Sequence, residues 1–181
     1  MGYWNSRGLR GSSFETVINY TNEFYRQKGL AVIQKIPTPI TPVEVDNAKH
    51  IISKAYFEKD STVDYIGMAQ GVGLCFDAKE TKESYLPLRN VHAHQLAFME
   101  AFEQQGGISF LLVHFLRQGE YYLLPTKELR RFWNRAAQGG RRSILREEFA
   151  PQLQVVQEKN GMINYLKAVN IILSQQSLNH R

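Results

Sequence analysis

Cysteine is almost absent. Cys75 is the only one in 181 residues, so no disulfide can close within the chain, and no zinc-type Cys/His spacing occurs. A disulfide-stapled secreted scaffold and a structural zinc module are both excluded, and a reducing cytoplasm fits. Long apolar runs are also missing. No stretch approaches the roughly 18 residues needed to span a bilayer, and Met1 to Arg7 lacks the apolar centre of a signal peptide. A soluble, intracellular protein with no membrane partner is expected. Acidic residues are in deficit, 17 against 22 Lys and Arg, and the resulting charge of +5 makes nucleic acid the leading class of partner.

What the chain does contain reads as one domain with a sizeable core, 43 % of its residues being apolar. Ser12-Ser13-Phe14-Glu15 offers a capping box, after which Phe14, Val17, Ile18, Thr21, Phe24 and Tyr25 recur at helical spacing until Lys28-Gly29. Leu30 to Ile36 predicts a strand. Pro37, Pro39 and Pro42 then remove backbone donors and favour stiff, extended chain, so this segment should project or bridge, with Val43 to Asp60 as its possible hairpin partner. Two β-like runs around Gly71-Val72-Gly73 follow. Helices are expected over 91–104, 129–137 and 162–173, with strands over 108–116 and 121–124, while 141–150 has no clear pattern. The order predicts an α/β fold, a mixed β-sheet flanked by helices.

The chemistry centres on Asp64, Asp77 and Lys79. Asp64 lies in Ser61-Thr62-Val63-Asp64-Tyr65-Ile66-Gly67, and the other two lie in Leu74-Cys75-Phe76-Asp77-Ala78-Lys79-Glu80. If the two runs pair, both carboxylates meet at one end of a sheet with an ammonium beside them, the equipment of metal-dependent phosphodiester hydrolysis. Asp77 and Lys79 share a strand face. Buried charge there needs a partner, which a divalent ion between the carboxylates would supply. The plain alternative is that Asp64 caps a turn while Asp77 simply pairs with Lys79.

Gln95 falls on the apolar stripe of its helix and must find hydrogen-bond partners; a backbone carbonyl and a metal site are equally open to it. His92 and His94 alternate, which suits surface or packing roles better than ligation. Glu15 is explained by the cap, with a reach toward the metal site as its second reading. Lys127, Arg130, Arg131, Arg135, Arg141, Arg142 and Arg146, interleaved with Phe132 and Trp133, form a candidate phosphate-gripping surface, to which Arg7, Arg10 and Lys35 are added.

These stretches resemble the RecU family of Holliday junction resolvases, whose fold is restriction-endonuclease-like. The resemblance is carried by Asn5-Ser6-Arg7-Gly8, Phe14-Glu15, Lys35-Ile36-Pro37-Thr38-Pro39, Ala55-Tyr56-Phe57, Ser61 to Gly67, Phe76 to Lys82, Pro87-Leu88, His94-Gln95, Phe132-Trp133 and Gly140-Arg141-Arg142-Ser143-Ile144. It implies a magnesium site, open to manganese, at Thr62, Asp64, Asp77 and Gln95, with Lys79 stabilising the transition state. It also implies a stalk at about 32–59 within a single nuclease domain, a homodimer, recombination proteins as partners, and a four-way DNA junction as substrate in recombination and repair. Two departures stand out: the family usually carries Glu where Asp77 stands, and this stalk is poor in basic residues. The readings that compete with a resolvase are a junction-binding protein that does not cut and a nuclease of the same fold acting on linear duplex DNA.

Overall fold

Three aromatic rings stacked across neighbouring strands set the frame of the protein. In the computed structural model, which describes residues 13–37, 39–57 and 62–179, Tyr65 stacks on Phe76 at 4.8 Å between centroids, and Phe76 stacks on Phe110, also at 4.8 Å. Such offset pairs tie one strand to the next beyond simple area burial.

The chain begins with α1 (Phe14–Gln27), capped by Ser13, whose hydroxyl accepts from the Thr16 amide at 3.3 Å. Ser12 lies outside the described residues, and Glu15 serves no cap; its carboxylate pairs with Lys35. Next come β1 (Val32–Lys35), β2 (Ile40–Asp46), β3 (Ile51–Phe57), β4 (Tyr65–Ala69), β5 (Val72–Thr81) and β6 (Tyr85–Pro87). The remainder is α2 (Ala93–Gln104), β7 (Ile108–Phe115), β8 (Glu120–Pro125), α3 (Thr126–Ala137), β9 (Ser143–Leu145), β10 (Gln154–Val155) and α4 (Tyr165–Asn179).

The main sheet has the order β1-β4-β5-β7-β8-β10, antiparallel except for the parallel pair β5–β7. The expected mixed sheet flanked by helices is therefore present. One core cluster joins α1 and α4 to one face through Phe76, Phe110 and Tyr165; the other joins α2 and α3 to the opposite face through Cys75, Leu111, Met99 and Phe132. Cys75 is wholly buried and behaves as a small apolar residue.

β2 and β3 form a separate two-stranded hairpin, bulged after Pro42, and its side chains are largely exposed, Tyr56 at 63 %. The hairpin falls within the segment expected to project. β1, which the stalk bounds implied by the resemblance would include, pairs with β4 as an edge of the main sheet. The reversal between β4 and β5 is made by Gln70-Gly71, both at positive φ, so Val72 and Gly73 already belong to β5.

Gly67 explains how β1 sits so close. A Cβ there would lie 2.1 Å from the Val32 carbonyl oxygen and 2.6 Å from the Ile33 Cα, both backbone atoms with no freedom to move aside. Gly67→Ala is therefore expected to detach β1 from β4 and to cost about 2–3 kcal/mol, as overpacking against backbone does. A melting curve checks it: an unchanged midpoint would mean that the edge pairing is dispensable.

Candidate metal and phosphodiester site

The antiparallel register of β4 and β5 aligns Tyr65 with Phe76. One residue further along, Asp64 faces Asp77. The two are interlocked by hydrogen bonds: the Asp64 amide donates to Asp77 Oδ1 at 3.2 Å, and the Ala78 amide donates to Asp64 Oδ2 at 3.0 Å. The aromatic stack thus fixes the pairing that brings the carboxylates together. Asp64 is half-buried and Asp77 is wholly buried.

Lys79, two residues beyond Asp77 on the same face of β5, places its ammonium against Asp77 Oδ2 as an ion pair. Beyond Lys79, no described donor reaches that oxygen. Burial, opposed by the Lys79 ammonium and reinforced by the charge on Asp64, raises the Asp77 carboxyl to about 7. A second cation at this point would favour its charged form.

Gln95 reaches the pair from the first turn of α2. Its amide nitrogen donates to Asp77 Oδ1 at 3.0 Å, and its carbonyl oxygen accepts from the His92 amide at 3.1 Å. Neither reading of Gln95 from the pattern foresaw this: it holds a carboxylate in place, its oxygen turned to the backbone. Thr62 is half-buried just ahead of Asp64 and forms no hydrogen bond with either carboxylate. His92 and His94 lie at the start of α2 with their rings stacked at 5.4 Å.

The site fits a magnesium-type ion through its oxygens. Asp64 Oδ1 and Asp77 Oδ2 are the two carboxylate oxygens not engaged by backbone or amide donors, and hard divalent cations that retain several waters need few protein ligands. Among the described residues no group of three or more His, Cys, Asp or Glu is placed to hold a metal, so any further ligand must be a neutral oxygen or water. Glu15, Lys35, Asp64 and Glu80 help line a cavity of about 240 Å³. A cavity of about 860 Å³, lined by α1, α4 and the β4–β5 turn, lies at the far end of β5 from Lys79.

The basic segment is not the open surface its composition implies. Arg130 makes a two-pronged contact with Glu100 of α2, Arg131 pairs with Glu128 at 2.9 Å, and Arg135 is held by Glu148 and the Ser143 carbonyl. Arg146 pairs with Glu120 at 2.8 Å. Lys35 is paired with Glu15. Arg141 and Arg142 are exposed and make no ion pair among the described residues, whereas Arg7 and Arg10 lie outside those residues. No described helix is long and apolar enough to cross a membrane.

Comparison with known proteins points one way. The family model described as Recombination protein U (RecU) matches residues 9–171. A protein of Pediococcus pentosaceus named Holliday junction resolvase RecU is 44 % identical over 171 residues, covering 92 % of this chain and 85 % of its own length. The Geobacillus kaustophilus protein of the same name is 45 % identical over 143 residues, covering 77 % and 72 %. That of Staphylococcus saprophyticus is 41 % identical over 175 residues, covering 94 % and 84 %. Among solved structures, Archaeoglobus fulgidus Hjc, a Holliday junction resolvase, matches with 14 % identity and a TM-score of 0.35 over 65 % of this chain and 74 % of its own, a likeness too slight to carry an argument.

Proposed function

The chain belongs to the RecU family, and from that premise we propose that it is a magnesium-dependent endonuclease that resolves four-way DNA junctions during recombination and repair. The observation that carries this reading is the interlocked pair Asp64 and Asp77 with Lys79 against it, held by hydrogen bonds from backbone and Gln95. Two acids, one ammonium and an amide brace are the parts that hydrolysis of a phosphodiester requires.

Asp64 and Asp77 would hold the ion, with Thr62 lending a neutral oxygen or orienting water and Gln95 fixing Asp77 through its amide nitrogen. Bound magnesium, or manganese in its place, supplies Lewis-acid polarisation of the phosphodiester. The remaining work falls to the chain. Gln95 and the Asp64 amide keep Asp77 in one orientation, so no reorganisation is needed at the moment of reaction. The Lys79 side chain is 16 % exposed, which leaves its ammonium near enough to solvent to meet the charge that builds on the phosphate oxygens. The β2–β3 hairpin would enter the open centre of the junction, and a symmetric homodimer working in the cytoplasm beside recombination proteins would make the paired incisions a four-way substrate needs.

Incubating the protein with a synthetic four-way junction and with a linear duplex of the same sequence, each in magnesium, manganese or EDTA, checks the proposal. Paired nicks in the junction that need the metal are expected. Tight junction binding without incision in either metal would leave a binding protein, and equal cutting of the linear duplex would leave a general duplex nuclease.

A further inference from the structure

Arg89 was not singled out by composition or by motif, yet its place in the fold is specific. The β6–β9 pair is attached to the end of β5 that carries Asp77 and Lys79, because Thr81, the last residue of β5, donates its hydroxyl to the Tyr85 carbonyl at 3.2 Å. Directly after β6 the chain makes a single 3-10 turn, Leu88–Asn90, and then enters α2 at His92. The Leu88 amide donates to the Arg142 carbonyl at 3.1 Å, so the backbone just before Arg89 is tied to Arg142 across segments some fifty residues apart. From this point a short path leads to the carboxylates: the His92 amide holds the Gln95 carbonyl at 3.1 Å, and the Gln95 amide holds Asp77 at 3.0 Å.

Charge separates these two arginines from those of α3 and from Arg146. Arg130, Arg131, Arg135 and Arg146 are each neutralised by a glutamate. Arg89 and Arg142 are exposed, and neither forms an ion pair among the described residues. Arg141 is exposed as well, but the carbonyl that the Leu88 amide binds is that of Arg142. Two unneutralised guanidinium groups, mounted on a hydrogen-bonded platform next to paired carboxylates, repel nothing but cations and suit one class of ligand. Guanidinium forks match phosphate oxygens in geometry as well as charge.

We propose that Arg89 and Arg142 form a phosphate clamp at the mouth of the Asp64/Asp77 site, gripping the DNA backbone on a flank of the cut. The clamp rests on the proposed nuclease function. It narrows the basic surface expected from Lys127 to Arg146 to Arg142 and adds Arg89: the grip lies where the segments before α2 and before β9 meet.

Salt dependence of binding tests it. In EDTA, affinity for a labelled four-way junction and for a linear duplex of the same sequence is measured between 50 and 200 mM salt for the wild type, Arg89→Ala, Arg142→Ala, Arg89→Lys and the control Lys159→Ala. Lys159 is exposed and lies at the far end of β5. Each alanine variant should lower the slope of log affinity against log salt by about 0.9, one phosphate's worth, so that the wild type loses about 3.5-fold more affinity over this range. Arg89→Lys should restore most of the slope. Variants that keep the wild-type slope, as Lys159→Ala should, overturn the clamp even where the junction is bound and cut. A wild type that binds only the linear duplex, with a slope that falls in Arg89→Ala, overturns the junction reading and upholds the clamp. A wild type that binds neither DNA overturns both.

Discussion

Asp77→Asn should cut a four-way junction about 1000-fold more slowly than the wild type in magnesium while binding it in EDTA within a few-fold. The substitution keeps shape and keeps an oxygen in the place of Oδ1, so the Asp64 amide and the Gln95 amide still have their acceptor. What is lost is the charge on a wholly buried group whose opposing cation is Lys79. An ion held between Asp64 and Asp77 would lose half of its carboxylate ligands, and several kcal/mol of transition-state stabilisation would go with it, a thousandfold corresponding to about 4 kcal/mol. DNA binding is spared because Asp77 presents no surface to a polyanion. Measured single-turnover rates and gel-shift affinities on the same preparation check both halves; cutting at more than a tenth of the wild-type rate would remove Asp77 from the site. Lys79→Met separates the two roles further. It should also slow cutting, yet leave divalent-ion binding intact by calorimetry, since an ammonium competes with the ion for Asp77 and does not ligate it.

Much of this site could be read before any fold was known, and the reasons are local. Asp77 and Lys79 share a face because strand period is two, and Asp64 meets Asp77 because two β-like runs flank a short turn. α1 follows from the spacing of Phe14, Val17, Ile18 and Tyr25, all buried. What escaped depends on distance along the chain. Gln95 and Asp77 are eighteen residues apart and meet only once α2 packs on β5. Arg130 looks free in sequence, but its partner Glu100 is thirty residues away on another helix. Glu15 fits a capping pattern, yet the first-turn face that carries it is crossed by Lys35 of β1. β6 and β9 were invisible for a different reason: three residues are too few for an alternation to register, and Pro87 closes the first of them. That blind spot concealed the platform on which Arg89 stands.

Phe76→Ala should be the most damaging of the core changes, and its consequences should reach the site. Phe76 is wholly buried in the middle of the stack, with Tyr65 of β4 on one side, Phe110 of β7 on the other and Tyr165 of α4 inclined over it at 5.3 Å. Removing the ring leaves a cavity bordered by three aromatics that cannot all close in, so a loss of about 3–5 kcal/mol is expected, or roughly 10 °C in melting midpoint for a domain of this size. Phe110→Ala deletes the neighbouring ring and should cost a similar amount. The two differ in what they unfasten. Phe76 and Tyr65 are the last aligned pair before Asp64 faces Asp77, so their stack secures the β4–β5 register at the carboxylates; Phe110 touches neither β4 nor Asp64 through its stack. Assayed well below both melting points, Phe110→Ala should retain most of the wild-type cutting rate per folded molecule, whereas Phe76→Ala should lose at least tenfold. Equal rates for the two variants would show that the hydrogen bonds between Asp64, Ala78 and Asp77 hold the carboxylates together without the aromatic stack.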